Sequence, residues 1–110
     1  MATAYNYPDA YLAKFCTEER EARAVDDVAL FAASADVTFS ADWAERLTII
    51  QTYILAALEN QADADDLFSA KLKAYRDQLA VELPRAVTAA RALAETTSNL
   101  GLLSIPLERS

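Results

Sequence analysis

Side chains able to do chemistry crowd into one short stretch of this chain. From Leu58 to Phe68 it reads LENQADADDLF, which sets Glu59, Asp63, Asp65 and Asp66 between two apolar segments. Paired carboxylates can exchange protons or hold a hard cation. A calcium loop beginning at Asp63 would need oxygen ligands at its first, third and fifth positions, Gly at the sixth and Glu at the twelfth. The chain supplies Asp63, Asp65, Leu67, Phe68 and Ala74 there, so three of the five requirements fail. No metal site is expected, and the acids fit better as the bend between two helices.

Other chemistries are excluded by composition. The chain has no His, so neither a Ser-His-Asp nor a Cys-His nucleophile system can form, and histidine zinc and Glu-x-x-His di-iron sites are excluded too. The one glycine, Gly101, cannot build a phosphate-cradling loop. Cys16 is single, which rules out an internal disulfide or a CxxC site; it reads as a small core residue. No catalytic residue, cofactor or metal is assigned, and the chain is not expected to be an enzyme. A carboxylate enzyme remains a weaker alternative.

The net charge is −7, distributed as −5 over residues 1–42, −3 over 43–84 and +1 over 85–110. Affinity for nucleic acid comes mainly from Lys and Arg displacing counterions, so this acidic body is expected to make no sequence-specific nucleic-acid contact. The opening MATAYNYPDA lacks the basic and apolar regions of a signal peptide, and no run of about 18 apolar residues could span a bilayer. A soluble protein of a reducing interior, without membrane partners, is expected.

The elements that must position these groups are helical. One Gly and three Pro in 110 residues leave few tight-turn residues for a many-stranded fold, while 54% of the residues are hydrophobic. Asn6–Asp9 reads as a helix start with Pro8 in the first turn, followed by Leu12, Phe15 and Cys16 on one face and by Glu19 and Arg23 spaced to pair. A short helix is expected over Val25–Ala33, with Asp26 and Asp27 at its positive end and Val28 and Phe31 inward. The β-prone DVTF of residues 36–39 is too short to establish a sheet.

The strongest periodicity starts at SADWAERL, where Asp42 and Glu45 resemble a capping box. Trp43, Leu47, Ile50, Ile54 and Leu58 then form one stripe, broadened by Ile49, Tyr53 and Leu55; Phe68, Leu72, Tyr75 and Leu79 form a second. Residues 43–60 and 66–83 are therefore expected as two helices of about 27 Å each, joined by a short linker into an antiparallel hairpin. Asp63, Asp65 and Asp66 would cap the second helix and complement its dipole. Pro84 should kink or break that helix, and an Ala-rich helix is expected over 85–97.

Asn99 and Gly101 read as helix stops. Beyond them LLSIPLERS alternates like a strand, with Pro106 limiting sheet pairing. The expected fold is all-α: a helical domain over 1–100, built on the long hairpin with shorter N-terminal helices, and an extended C-terminal arm over 101–110. The arm either folds back on its own helices or docks on another protein, through Leu102, Leu103, Ile105 and Leu107.

The segment DWAERLTIIQTYILAALENQADADDLFSAKLKAYRDQLAVELPRA resembles the helical hairpin of head-to-tail adaptor (connector) proteins of tailed bacteriophages. Trp43 leads an aromatic-headed helix, Tyr53, Ala56 and Ala57 mark its second half, the acidic turn spans Asp63–Asp66, and Tyr75 lies near the middle of the next helix. The N-terminal VDDVALFAASADVTF does not match the family pattern. The resemblance implies a homo-oligomeric ring, usually of twelve subunits, at the head-tail junction of the virion, assembled in the host cytoplasm. It implies docking on the portal protein, contact with a tail or stopper protein, and a continuation of the DNA channel. The arm residues Leu102, Leu103, Ile105 and Leu107 would make the protein contact. The alternative is a small acidic helical module that binds one protein or acts as a chaperone.

Overall fold

The structure is a computed structural model that describes residues 3–60 and 66–109, with side chains described over 3–60 and 67–95. The described residues form four helices: α1 (Ala10–Ala13), α2 (Glu18–Ala35), α3 (Ala41–Glu59) and α4 (Asp66–Arg109). The fold is an all-α bundle, and none of the described residues is in a strand.

Side-chain oxygens set where the first three helices begin. Asp9 accepts from the amides of Tyr11 and Leu12 and so caps α1, which leaves Pro8 just outside the helix. Thr17 accepts from the Arg20 amide and starts α2, with Glu18, Glu19 and Glu21 in its positive first turn. The second helix is thus twice the length expected from Val25–Ala33, and Asp26 and Asp27 fall inside it. Ser40, rather than Asp42, caps α3 by accepting from the Trp43 amide at 3.3 Å. Ser40 stands just before the first helical residue, where its oxygen meets a free amide, whereas Asp42 lies inside the first turn.

α2 ends on Asp36 in the left-handed region, φ 56°, with the Val37 amide reaching back to the Ala32 carbonyl at 3.0 Å. Asp tolerates this conformation better than most non-Gly residues. The DVTF segment follows as a connector without regular structure.

α3 is the central rod. Its residues Thr52–Ala57 are buried without interruption, so it packs on every side. Tyr53 stacks on Tyr75, and Arg46 pairs with Glu82, which fixes α3 and α4 as antiparallel. The pairings Arg20–Glu59 and Asp27–Gln51 run α2 antiparallel to α3 as well. Arg23 also reaches Glu59, at 2.7 Å, so the contact it makes is across helices and not the expected one with Glu19.

Two apolar clusters fill the bundle. One gathers Leu12, Cys16, Ile50, Tyr53, Ile54, Phe68 and Leu72; the other joins Val28, Leu47 and Ala86, flanked by Phe31, Phe39 and Trp43. Burying a side chain such as Leu47 stabilises the fold by about 1.5–3 kcal/mol.

α4 departs from expectation. Its 44 residues run unbroken through Pro84, so there is no separate helix over 85–97. Residues 101–109 continue the helix instead of forming an extended arm. Proline removes one backbone bond, and its ring lies exposed at position 84. Helix extension adds a hydrogen bond for each residue fixed, without repeating the costly nucleation step, which carries the backbone past Asn99 and Gly101. At 1.5 Å per residue α4 is about 66 Å long, close to the molecule's longest extent of 67 Å. α3, with 19 residues, covers less than half of it.

Candidate functional site

Two regions combine concavity with distinctive side chains. The first is an apolar groove of about 1030 Å³ between the end of α2, the 36–40 connector and the α4 turns from Ala90 to Glu95. Its walls include Ala32, Val37, Phe39, Ala90, Leu93 and Ala94. Arg91 donates to the Ala35 carbonyl at 3.2 Å and ties α4 to the end of α2 beside the groove. Leu93, on α4, is 57% exposed among the described residues. The small residues Ala86 and Ala90 let the helices approach there, but they leave too little side-chain volume to fill the space beyond.

The second region is a cleft of about 710 Å³ bounded by the segment Pro8–Tyr11, by α3 residues including Arg46 and Tyr53, and by Lys71 and Tyr75 of α4. Its polar centre is Asp9. One carboxylate oxygen accepts from the Tyr11 and Leu12 amides at 3.0 and 3.2 Å. The other accepts from Lys71 Nζ at 2.8 Å and from the Tyr75 hydroxyl at 2.5 Å. Burial pushes the Asp9 carboxyl up, but these donors favour the charged form more strongly and hold it below the ordinary carboxylate value. The Asp9 amide in turn donates to the Tyr53 hydroxyl at 2.9 Å.

Glu21, on α2, makes a second buried carboxylate centre. It accepts from the amides of Ala4 and Tyr5 at 2.8 and 3.1 Å and from the Tyr7 hydroxyl at 2.6 Å. Burial again raises its carboxyl, and the Tyr7 hydroxyl and the two amides bring it below the ordinary value. Burial also pushes the Tyr7 and Tyr75 phenols well up, assisted by the carboxylates they bond. Both phenols therefore keep their protons at neutral pH.

This chemistry is structural. Four donors occupy the lone-pair sites of Asp9, so it has no free capacity to act as a base. Cys16 is buried, and burial pushes its thiol up to about 12, which keeps it a protonated core residue rather than a nucleophile. Among the described residues, no group of three or more His, Cys, Asp or Glu side chains could hold a metal. No helix among them is long and apolar enough to cross a membrane.

Of the residues singled out from sequence, most lie outside the described side chains. Glu59 is paired with Arg20 and Arg23, whose guanidinium groups lower its carboxyl. Asp63 and Asp65 lie outside the described residues, and Asp66 opens α4. Leu102, Leu103, Ile105 and Leu107 lie in the last turns of α4, where side chains are outside the described set. The Asp9 and Glu21 centres were missed from sequence. For Asp9 the signal lies in Tyr53 and Tyr75, whose hydroxyls sit within apolar stripes and must find partners once buried; Glu21, bonded by Tyr7, has no such signal.

Compared with family models, curated proteins and solved structures, the chain matches none.

Proposed function

We propose that this chain is the structural subunit of a phage head-to-tail adaptor ring, which docks on the portal and continues the DNA channel toward a tail or stopper protein in the virion. The observation that carries the reading is the mismatch between α4 and its partners: a 44-residue helix continues far past a 19-residue α3. The apolar groove lies where that overhang begins. A lone subunit gains nothing from keeping such a rod uncovered, whereas neighbouring copies can pack along it. Leu30, on α2, is 66% exposed and adds apolar surface for a lateral contact. The charge of −7 suits a wall along which DNA must slide, because such a wall should not hold phosphate.

Native mass spectrometry of the purified chain, alone and mixed with a portal protein, tests this reading. Rings in either sample are the expected outcome. Monomer in both would refute it. Removing residues 102–110 is expected to abolish portal attachment while leaving the ellipticity of α2 and α3 in place; undiminished attachment would discard the role of Leu102, Leu103, Ile105 and Leu107.

A second reading is favoured by the groove itself, whose size and apolar walls suit a helical or extended peptide. On that reading the protein is a small protein-binding or chaperone-like module. It then remains a monomer or dimer at all concentrations and binds one partner at the Phe39–Leu93 groove.

A further inference from the structure

Residues 3–11 differ from everything else packed on the bundle. As whole residues they are exposed or half-buried, although the Asp9 side chain itself is buried; the first fully buried residue is Leu12. Two ring contacts, Tyr7 on Tyr53 and Tyr11 on Phe68, lay them against the core, and the rest of their hold is polar. Glu21 reaches out from α2 to the amides of Ala4 and Tyr5 and the hydroxyl of Tyr7, while Asp9 reaches from the segment to Lys71 and Tyr75 on α4. Both attachments depend on a charged carboxylate accepting several hydrogen bonds at once. Pro8–Tyr11 also form one wall of the 710 Å³ cleft.

We propose that residues 3–11 form an acid-released strap: protonation of Glu21 and Asp9 detaches it from α2 and α4 and opens the cleft over Tyr53 and Tyr75. A neutral carboxyl cannot accept from three or four donors as a carboxylate does, and it loses the ion pair with Lys71. The groups facing Asp9 are Lys71 and Tyr75 of α4, Tyr53 of α3 and Cys16; those near Glu21 are Tyr7 of the strap and, again, Cys16. Ammonium groups keep their charge in acid, and phenols and thiols stay neutral, so the two carboxylates alone change state.

The direction follows from linkage. Both carboxyls titrate below their ordinary values in the folded chain, so on acidification the state with the strap detached takes up protons first. The stability they supply is complete above the ordinary carboxylate range and is lost as pH falls through the lower folded values. The rest of the bundle has a separate hold. The Val28, Leu47 and Ala86 cluster contains no strap residue, and Leu12 and Cys16 anchor the chain just beyond the strap.

Amide spectra (1H–15N) recorded from pH 7 to pH 3 test this, with Trp43 fluorescence and helical ellipticity followed in parallel. The Ala4, Tyr5 and Tyr7 amides are expected to reach random-coil positions together, at a higher pH than the Trp43 transition. Glu21→Gln is expected to show those coil positions already at pH 7 with its ellipticity retained. Loss of the strap amides only in the same transition as Trp43, or a Glu21→Gln chain whose strap amides stay in place at pH 7, overturns the proposal. If Glu21→Gln does not fold, the titration of the unsubstituted protein decides alone.

Discussion

The two ends of the α3–α4 pair are built on opposite plans. At the end nearest the chain's start, Phe68 meets Tyr11 and Phe15 with ring centroids 5.3 Å apart in both cases, and Tyr53 stacks on Tyr75 at 4.5 Å. At the other end the helices meet through Ala86 and Ala90, and an open groove begins at Ala90 and runs past Leu93. Large rings fill space and carry hydroxyls that must be bonded, so the first end is closed and cross-linked by polar contacts. Alanines bring backbones close but fill nothing beyond them. The first end is packed by rings of its own chain; the second presents an apolar groove.

Substitutions can break or sharpen this contrast. Leu12→Ala, at the closed end and fully buried, is expected to cost about 2–5 kcal/mol in urea unfolding followed by ellipticity. A cost below about 1 kcal/mol would mean that this end is not close-packed. Ser40→Ala, which removes the α3 cap beside the groove, should cost about 0.5–2 kcal/mol by the same measurement. The Arg20–Glu59 pair, with side chains 21% and 33% exposed, should show a coupling of only about 0.2–1 kcal/mol in a double-mutant cycle, smaller in high salt.

The smallest effect belongs to the open end. Leu93→Ala should change the stability of the isolated chain by no more than about 0.5 kcal/mol, because the side chain is largely in water there. If assembly proceeds as proposed, the same substitution weakens oligomerisation measured by sedimentation. A loss of monomer stability as large as that of Leu12→Ala would erase the distinction between the two ends.

Much of the hairpin was legible because a 3.6-residue apolar period is a local property. Trp43 through Leu58 and Phe68 through Leu79 announce their helices without reference to the rest of the chain. Boundaries were less legible. Thr17 is hidden in a run that reads as one helix from Asp9 to Arg23, and Ser40 competes with Asp42 for the same role, so only backbone geometry decides which oxygen meets a free amide. Pro84 reads as a kink or a break and Gly101 as a stop, since propensity counts the local cost and not the cheap propagation of a helix already formed.

Of the candidate sites, the acidic stretch around Asp63 drew attention through its density of charge. The centres at Asp9 and Glu21 did not, since their partners lie far away in sequence: Lys71 and Tyr75 are more than sixty residues from Asp9. By itself the sequence determined the helical class, the absence of histidine- and glycine-dependent chemistry, and the two apolar stripes, all consequences of composition and short-range period. Only the tertiary structure decided which carboxylates are buried, which end of the bundle closes and how far α4 outruns its neighbours. Those outcomes depend on packing between distant segments, where a side chain's surroundings and not its identity set its chemistry.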